Sequence, residues 1–151
     1  MRILAALALL AGAAHAQVIS RVDLQACGIY ESKVQGREND AKSASGRRTI
    51  VQDERLVNET TRVPWRAGLK FGCQVILQGV PPGDVVDFRA VLRLPRGEIS
   101  GSQAYAIGEP GYVGYTLRRG DPTGEWALEI WIDQRKLAEK RFLIEADRPP
   151  G

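Results

Sequence analysis

From Leu69 to Gln78 the chain alternates without a break: Leu69, Phe71, Cys73, Val75 and Leu77 against Lys70, Gly72, Gln74, Ile76 and Gln78. A period of two predicts a strand that buries one face. Val80-Pro81-Pro82-Gly83-Asp84 then reads as a turn, because proline fixes φ and glycine accepts positive φ. A second strand follows, with Val86, Phe88, Ala90, Leu92 and Leu94 inward and Asp87, Arg89 and Arg93 outward, ended by Pro95. Val113, Tyr115 and Leu117 form a third row. After the turn Gly120 to Gly124, Trp126, Leu128, Ile130 and Ile132 form a fourth, opposed by Glu125, Glu129 and Asp133. A short connection over Asp133 to Arg135 leads into a return strand carrying Ala138, Phe142 and Ile144. Upstream, Cys27 to Val34 and Arg48 to Val57 carry strand-forming Ile, Tyr, Val and Thr, and the polar stretch Gly36 to Arg47 between them predicts a mobile loop. Seven strands, frequent turns and no long helical period predict an all-β fold, an immunoglobulin-like antiparallel β-sandwich, with a small β-barrel as the alternative.

The first residues obey a different rule. Arg2 gives a positive start, Ile3 to Ala14 an apolar run, and Ala14-His15-Ala16 a small-x-small cleavage pattern. The expectation is a signal peptide over 1–16, a mature chain starting at Gln17, one domain over 17–146 and a disordered tail over 147–151. Leu24-Gln25-Ala26-Cys27 imitates a lipid-attachment motif, but Arg21 and Asp23 separate it from the apolar run. The predicted location is therefore periplasmic or secreted, with no transmembrane segment in the mature chain.

The ordered set Gly68-Leu69-Lys70-Phe71-Gly72, Gly79-Val80-Pro81-Pro82-Gly83, Gly114-Tyr115, Gly124 to Trp131 and Lys136 to Phe142 resembles the bacterial family known as domain of unknown function 3859. The resemblance covers about residues 27–145. It implies a β fold and contributes no catalytic residues.

Composition narrows the chemistry. The chain has 21 basic and 18 acidic residues; loss of Arg2 leaves 20 against 18, a net charge of +2 that predicts no nucleic-acid partner. Its one His and one Met are His15 and Met1, both within the predicted signal. A mature chain without histidine excludes Ser-His-Asp and Cys-His catalysis and His-ligated zinc. No Gly-x-Ser-x-Gly elbow, Ser-x-x-Lys pair, phosphate-binding glycine loop or calcium loop is present. No cofactor, metal or catalytic residue is expected. Cys27 and Cys73 are the only cysteines, and an even count in an exported chain favours a disulfide over two separate thiols. Their wide spacing speaks against a redox pair.

Candidate contact residues are aromatic. Strand parity turns Trp131 away from the row of Trp126, and an exposed tryptophan near Tyr112, Tyr115 or Arg135 would anchor a ligand or partner. Arg96 to Gly111, with Ser100, Ser102, Tyr105 and four glycines, reads as a long loop of the kind that carries binding. Arg135, Lys136, Lys140 and Arg141 read as edge-strand charge, with Lys136 and Lys140 on one face and Arg135 and Arg141 on the other. The expected function is a non-enzymatic binding or interaction module, its partner another envelope protein or a small ligand. The alternatives are a structural domain of an envelope assembly and a small hydrolase using a carboxylate pair or Ser/Lys.

Overall fold

Among the described residues nine strands carry these rows: β1 Val18–Asn39, β2 Arg47–Glu59, β3 Arg62–Trp65, β4 Lys70–Val80, β5 Val85–Arg93, β6 Glu98–Ala106, β7 Gly111–Thr116, β8 Gly124–Ile132 and β9 Arg135–Ala146. The computed structural model describes residues 16–39 and 47–147, and over 33–53 the backbone alone. The predicted signal up to residue 15 lies outside the described residues, as do residues 40–46 of the predicted loop and 148–151 of the predicted tail.

The strands form two sheets, ordered β2-β1-β4-β7 and β3-β9-β8-β5-β6. Neighbours pair antiparallel except β3 with β9, which run parallel. The inner rows are those of the alternation. Phe71, Cys73, Val75 and Leu77 from β4 meet Val86, Phe88, Ala90 and Leu92 from β5 and Trp126, Leu128, Ile130 and Ile132 from β8, all buried. Phe71 sits at the centre, edge-on to Trp126 at 5.8 Å and to Phe142 at 5.1 Å between ring centroids, a geometry that suits aromatic quadrupoles. Two sheets with free edges make a sandwich, not a closed barrel.

Nine strands rather than seven is a correction with two sources. Arg96 to Gly111 is mostly strand: β6 pairs with β5 from Val85↔Ala106 to Arg93↔Glu98. Its Ser100-Gly101-Ser102 centre has little strand propensity, so pairing with β5 decides the conformation. β3 is four residues long and contains Pro64, and its parallel partner β9 lies some 80 residues on, as in Arg62↔Leu143. The predicted loop Gly36 to Arg47 is also shortened, since Gly36 to Asn39 belong to β1 and Arg47 to β2. Asp147, placed in the predicted tail, pairs with Arg66 at 2.9 Å.

Cys27 and Cys73 are bonded and buried, joining neighbouring strands β1 and β4 of one sheet. The register slips between Gln25 and Gly28, so Ala26 and Cys27 form a bulge there, with Ala26 at φ 48°. The Tyr30 hydroxyl donates to the Ala26 carbonyl and braces it.

Candidate functional site

β8 buries Trp126, Leu128, Ile130 and Ile132 and sends Glu125, Ala127, Glu129 and Trp131 to the outer face of the five-stranded sheet. Opposite Trp131 on β5 lies Arg89, and opposite Arg89 on β6 lies Ser102. The Arg89 guanidinium carbon stands 5.8 Å from the centroid of the Trp131 ring, a cation–π arrangement. The indole edge is fixed too: Trp131 Nε1 donates to Glu129 Oε1 at 2.9 Å.

Glu129 was expected to be exposed, yet it is 4% exposed and is the one buried charged residue among those described. Both its oxygens accept from Arg93 Nε at 3.0 Å, and Lys136 Nζ lies 3.9 Å away. Burying a carboxylate is costly unless it is paired and hydrogen-bonded, and here hydrogen bonds from Arg93 and Trp131 and the nearby Lys136 charge supply the compensation. The Glu129 hydrogen bond raises the Arg93 guanidinium further above its ordinary value. Around this centre Arg93 reaches Glu98 at 2.8 Å, and Glu139 accepts from Lys136 at 2.9 Å and Arg141 at 3.2 Å. The hydrogen bond from Lys136, then that from Arg141, holds the Glu139 carboxyl below the usual range. With its oxygens engaged, Glu129 positions its neighbours. Asp87, Ser102, Asp133 and Gln134 surround Trp131 and Arg89 in an open cleft, giving a planar aromatic surface with a hydrogen-bonding rim.

The other predicted contact residues lie elsewhere. The two-residue turn Asp133-Gln134 pairs Ile132 with Arg135, so Lys136, not Arg135, lies opposite Trp131, and a bulge follows before Ile130 pairs with Ala138. Arg135 faces Ile132 and lines a separate cleft with Gln17 and Val86. The same bulge brings Lys136 and Arg141 to one face, correcting the expected parity, and β9 lies inside the sheet between β3 and β8 rather than at an edge.

Tyr105 points inward against Phe88, with 5.5 Å between ring centroids, and its hydroxyl donates to the Tyr112 carbonyl. Tyr112 lies on the outer face of the other sheet against Tyr30, and its hydroxyl donates to the Phe71 carbonyl at 3.2 Å. Tyr115 packs on Phe71 and Trp126 and donates to Asp121 Oδ2 at 3.0 Å. None of the three joins Trp131. Burial is the first cause raising each of the four tyrosines above the ordinary value of 10.0, most strongly Tyr112, where the Glu54 charge adds to it. A phenol whose folded value is raised contributes stability below pH 10.0 that is lost as pH rises through the folded value. Absorbance titration of the native protein should therefore show phenolate appearing later than in the urea-unfolded chain, with stability falling as the pH is raised above 10.0. Coincident titrations would contradict the buried placement.

One serine touches a lysine. Lys70 Nζ donates to Ser32 Oγ, but it also pairs with Glu54 at 2.9 Å, and Ser32 donates to the same carboxylate at 2.9 Å. The trio ties β1, β2 and β4 together through an ion pair and a shared hydroxyl. Among the described residues no three His, Cys, Asp or Glu side chains gather where a metal could sit, and no helix is long and apolar enough to cross a membrane.

An immunoglobulin-like protein from Pseudomonas aeruginosa is similar in structure, with a TM-score of 0.53 and 22% sequence identity, covering 89% of this chain and 100% of that one. At this identity the likeness shows the fold: an immunoglobulin-like sandwich, as the alternation predicts. No protein-family model and no curated protein matches the chain.

Proposed function

We propose that this chain is an exported, non-enzymatic binding module whose contact surface is the outer face around Trp131, and that its partner is another protein of the cell envelope. The observation that carries the reading is the fixation of Trp131. A half-buried indole held at its Nε1 by Glu129 and stacked by Arg89 is ordered before any partner arrives. Preorganised aromatic and arginine side chains are the groups that dominate interface energies. A strand position needed only for packing requires no buried carboxylate beside it. Export rests on the amino-terminal pattern, and a disulfide suits an oxidising compartment.

The test is a photo-crosslinking residue at Asp87, beside the cleft, in the native host. A discrete adduct from the periplasmic fraction is expected, lost in Trp131→Ala and absent when the probe sits at Gln74 on the opposite sheet. No adduct, or one indifferent to Trp131→Ala, overturns the reading. Mass spectrometry of the same fraction should give Gln17 as the first residue, and an intact Met1 or a lipid on Cys27 would refute the export step.

A further inference from the structure

We propose that β6 pairs antiparallel with β6 of a second copy about a twofold axis through Ser102, joining two five-stranded sheets into one of ten. This stands independently of the Trp131 reading. An open sheet edge templates pairing unless it is blunted by charge, proline or a covering group. The four edge strands are treated differently. β2 carries six charged residues in thirteen, and β3 has Pro64, which lacks an N–H, beside Arg62. β7 is uncharged, but the Tyr105 hydroxyl already occupies its Tyr112 carbonyl. β6 is the least blunted: its one charge, Glu98 at its first residue, is held by Arg93 of β5, Ile99 to Ala106 hold no charge and no proline, and Gly101 has open space around it.

The β6 sequence is complementary to itself. With Ser102 opposite Ser102, the inward-facing Ile99 of each copy lies opposite Tyr105 of the other, and Gly101 opposite Gln103. Ile99, 39% exposed, gains an aromatic cross-strand neighbour. The second strand extends over the mouth of an apolar cavity of about 180 Å³ between Ile99 and Gly101 of β6 and Val113 and Tyr115 of β7. Outward, Ser100, Ser102 and Ala104 meet, small and uncharged, and at each end Glu98, paired with Arg93 of its own β5, lies opposite Ala106 of the other copy. At both ends Arg96 of one copy comes beside the Gly108-Glu109 turn of the other, an exposed cation against an exposed carboxylate. This is an isologous contact that closes at two copies. It also sets both Trp131 side chains in one row across the shared face, because Trp131, Arg89 and Ser102 are successive cross-strand partners. Five strand spacings separate them, about 24 Å.

Light scattering of the disulfide-intact mature chain should give twice the chain mass at about 100 µM, a concentration at which a low-micromolar dimer is mostly formed. Ser100→Lys with Ser102→Lys gathers four lysines about the axis and should raise the dissociation constant about tenfold or more. Ser100→Asp with Ser102→Asp should do the same, and mixing the two variants should restore the dimer mass as a heterodimer. Monomeric wild type at that concentration, undiminished association of both variants, or failure of the mixture to associate overturns the proposal. Circular dichroism checks that each variant is folded, and the mixing arm stays decisive if one of them is less stable.

Discussion

Trp126→Ala is expected to lower stability by about 3–5 kcal/mol, and Trp131→Ala by about 1 kcal/mol, although the residues are five apart on one strand. Trp126 is fully buried, packs against Phe71 and Tyr115 at 5.8 and 5.7 Å, and donates its indole N–H to the Pro122 carbonyl at 3.0 Å. Truncation leaves a void at the centre of the sandwich and strips that carbonyl of its partner. Close-packed neighbours collapse only partly into such a void. Trp131 loses one hydrogen bond to Glu129 and the Arg89 contact, while Glu129 keeps Arg93 and gains access to water. Urea midpoints for the two variants, at an unchanged m-value, measure the difference. Equal large losses would make Trp131 a structural residue and remove the proposed contact surface.

The direction of Trp131 was legible because a regular strand has only two sides and four large apolar residues claim one of them. The environment of Trp131 was not. A glutamate on an outer face reads as solvated, and what buries Glu129 is Arg93, 36 positions away on β5, together with Lys136 beyond a bulge. Period-two patterns carry faces but not partners, and a bulge silently reverses every side chain after it, which is why Lys136 and Arg141 read as lying on opposite faces. The missed strands fail for the opposite reason. β6 is made of small and polar residues, and β3 is short and interrupted by Pro64; non-local pairing decides both. The tyrosines are set apart from Trp131 by packing that a linear pattern does not carry: Gly111 and Gly114 leave the space that the Tyr105 and Tyr112 side chains fill.

Replacing both cysteines with alanine is expected to cost about 4 kcal/mol, from the entropy of a loop of about 47 residues that the bond closes in the unfolded chain. The pair spans 46 positions and lies where the β1–β4 ladder is weakest, at the bulge between Gln25 and Gly28. The β1–β4 ladder does not hold Ala26 and Cys27 there, so the covalent link, the Tyr30 hydroxyl on the Ala26 carbonyl and the Thr60 N–H on the Cys27 carbonyl do so. Alanine tests the link itself, because both sites are buried and serine would add an unpartnered hydroxyl. Against a usual total of about 5–15 kcal/mol, such a loss places the reduced protein near its unfolding threshold. Thiol titration of the denatured, unreduced wild type should find no free cysteine, and the Cys27→Ala/Cys73→Ala urea midpoint should fall accordingly. Tyr30→Phe, which keeps the ring against Tyr112 and removes only the hydroxyl, should cost about 1 kcal/mol in the oxidised protein. A larger cost for Tyr30→Phe when the disulfide is absent would identify the two as alternative clamps on one bulge. Two free thiols in the wild type, or a double alanine variant as stable as the wild type, would show that the fold does not depend on the bond and that the strand ladder alone sets the register of β1 on β4.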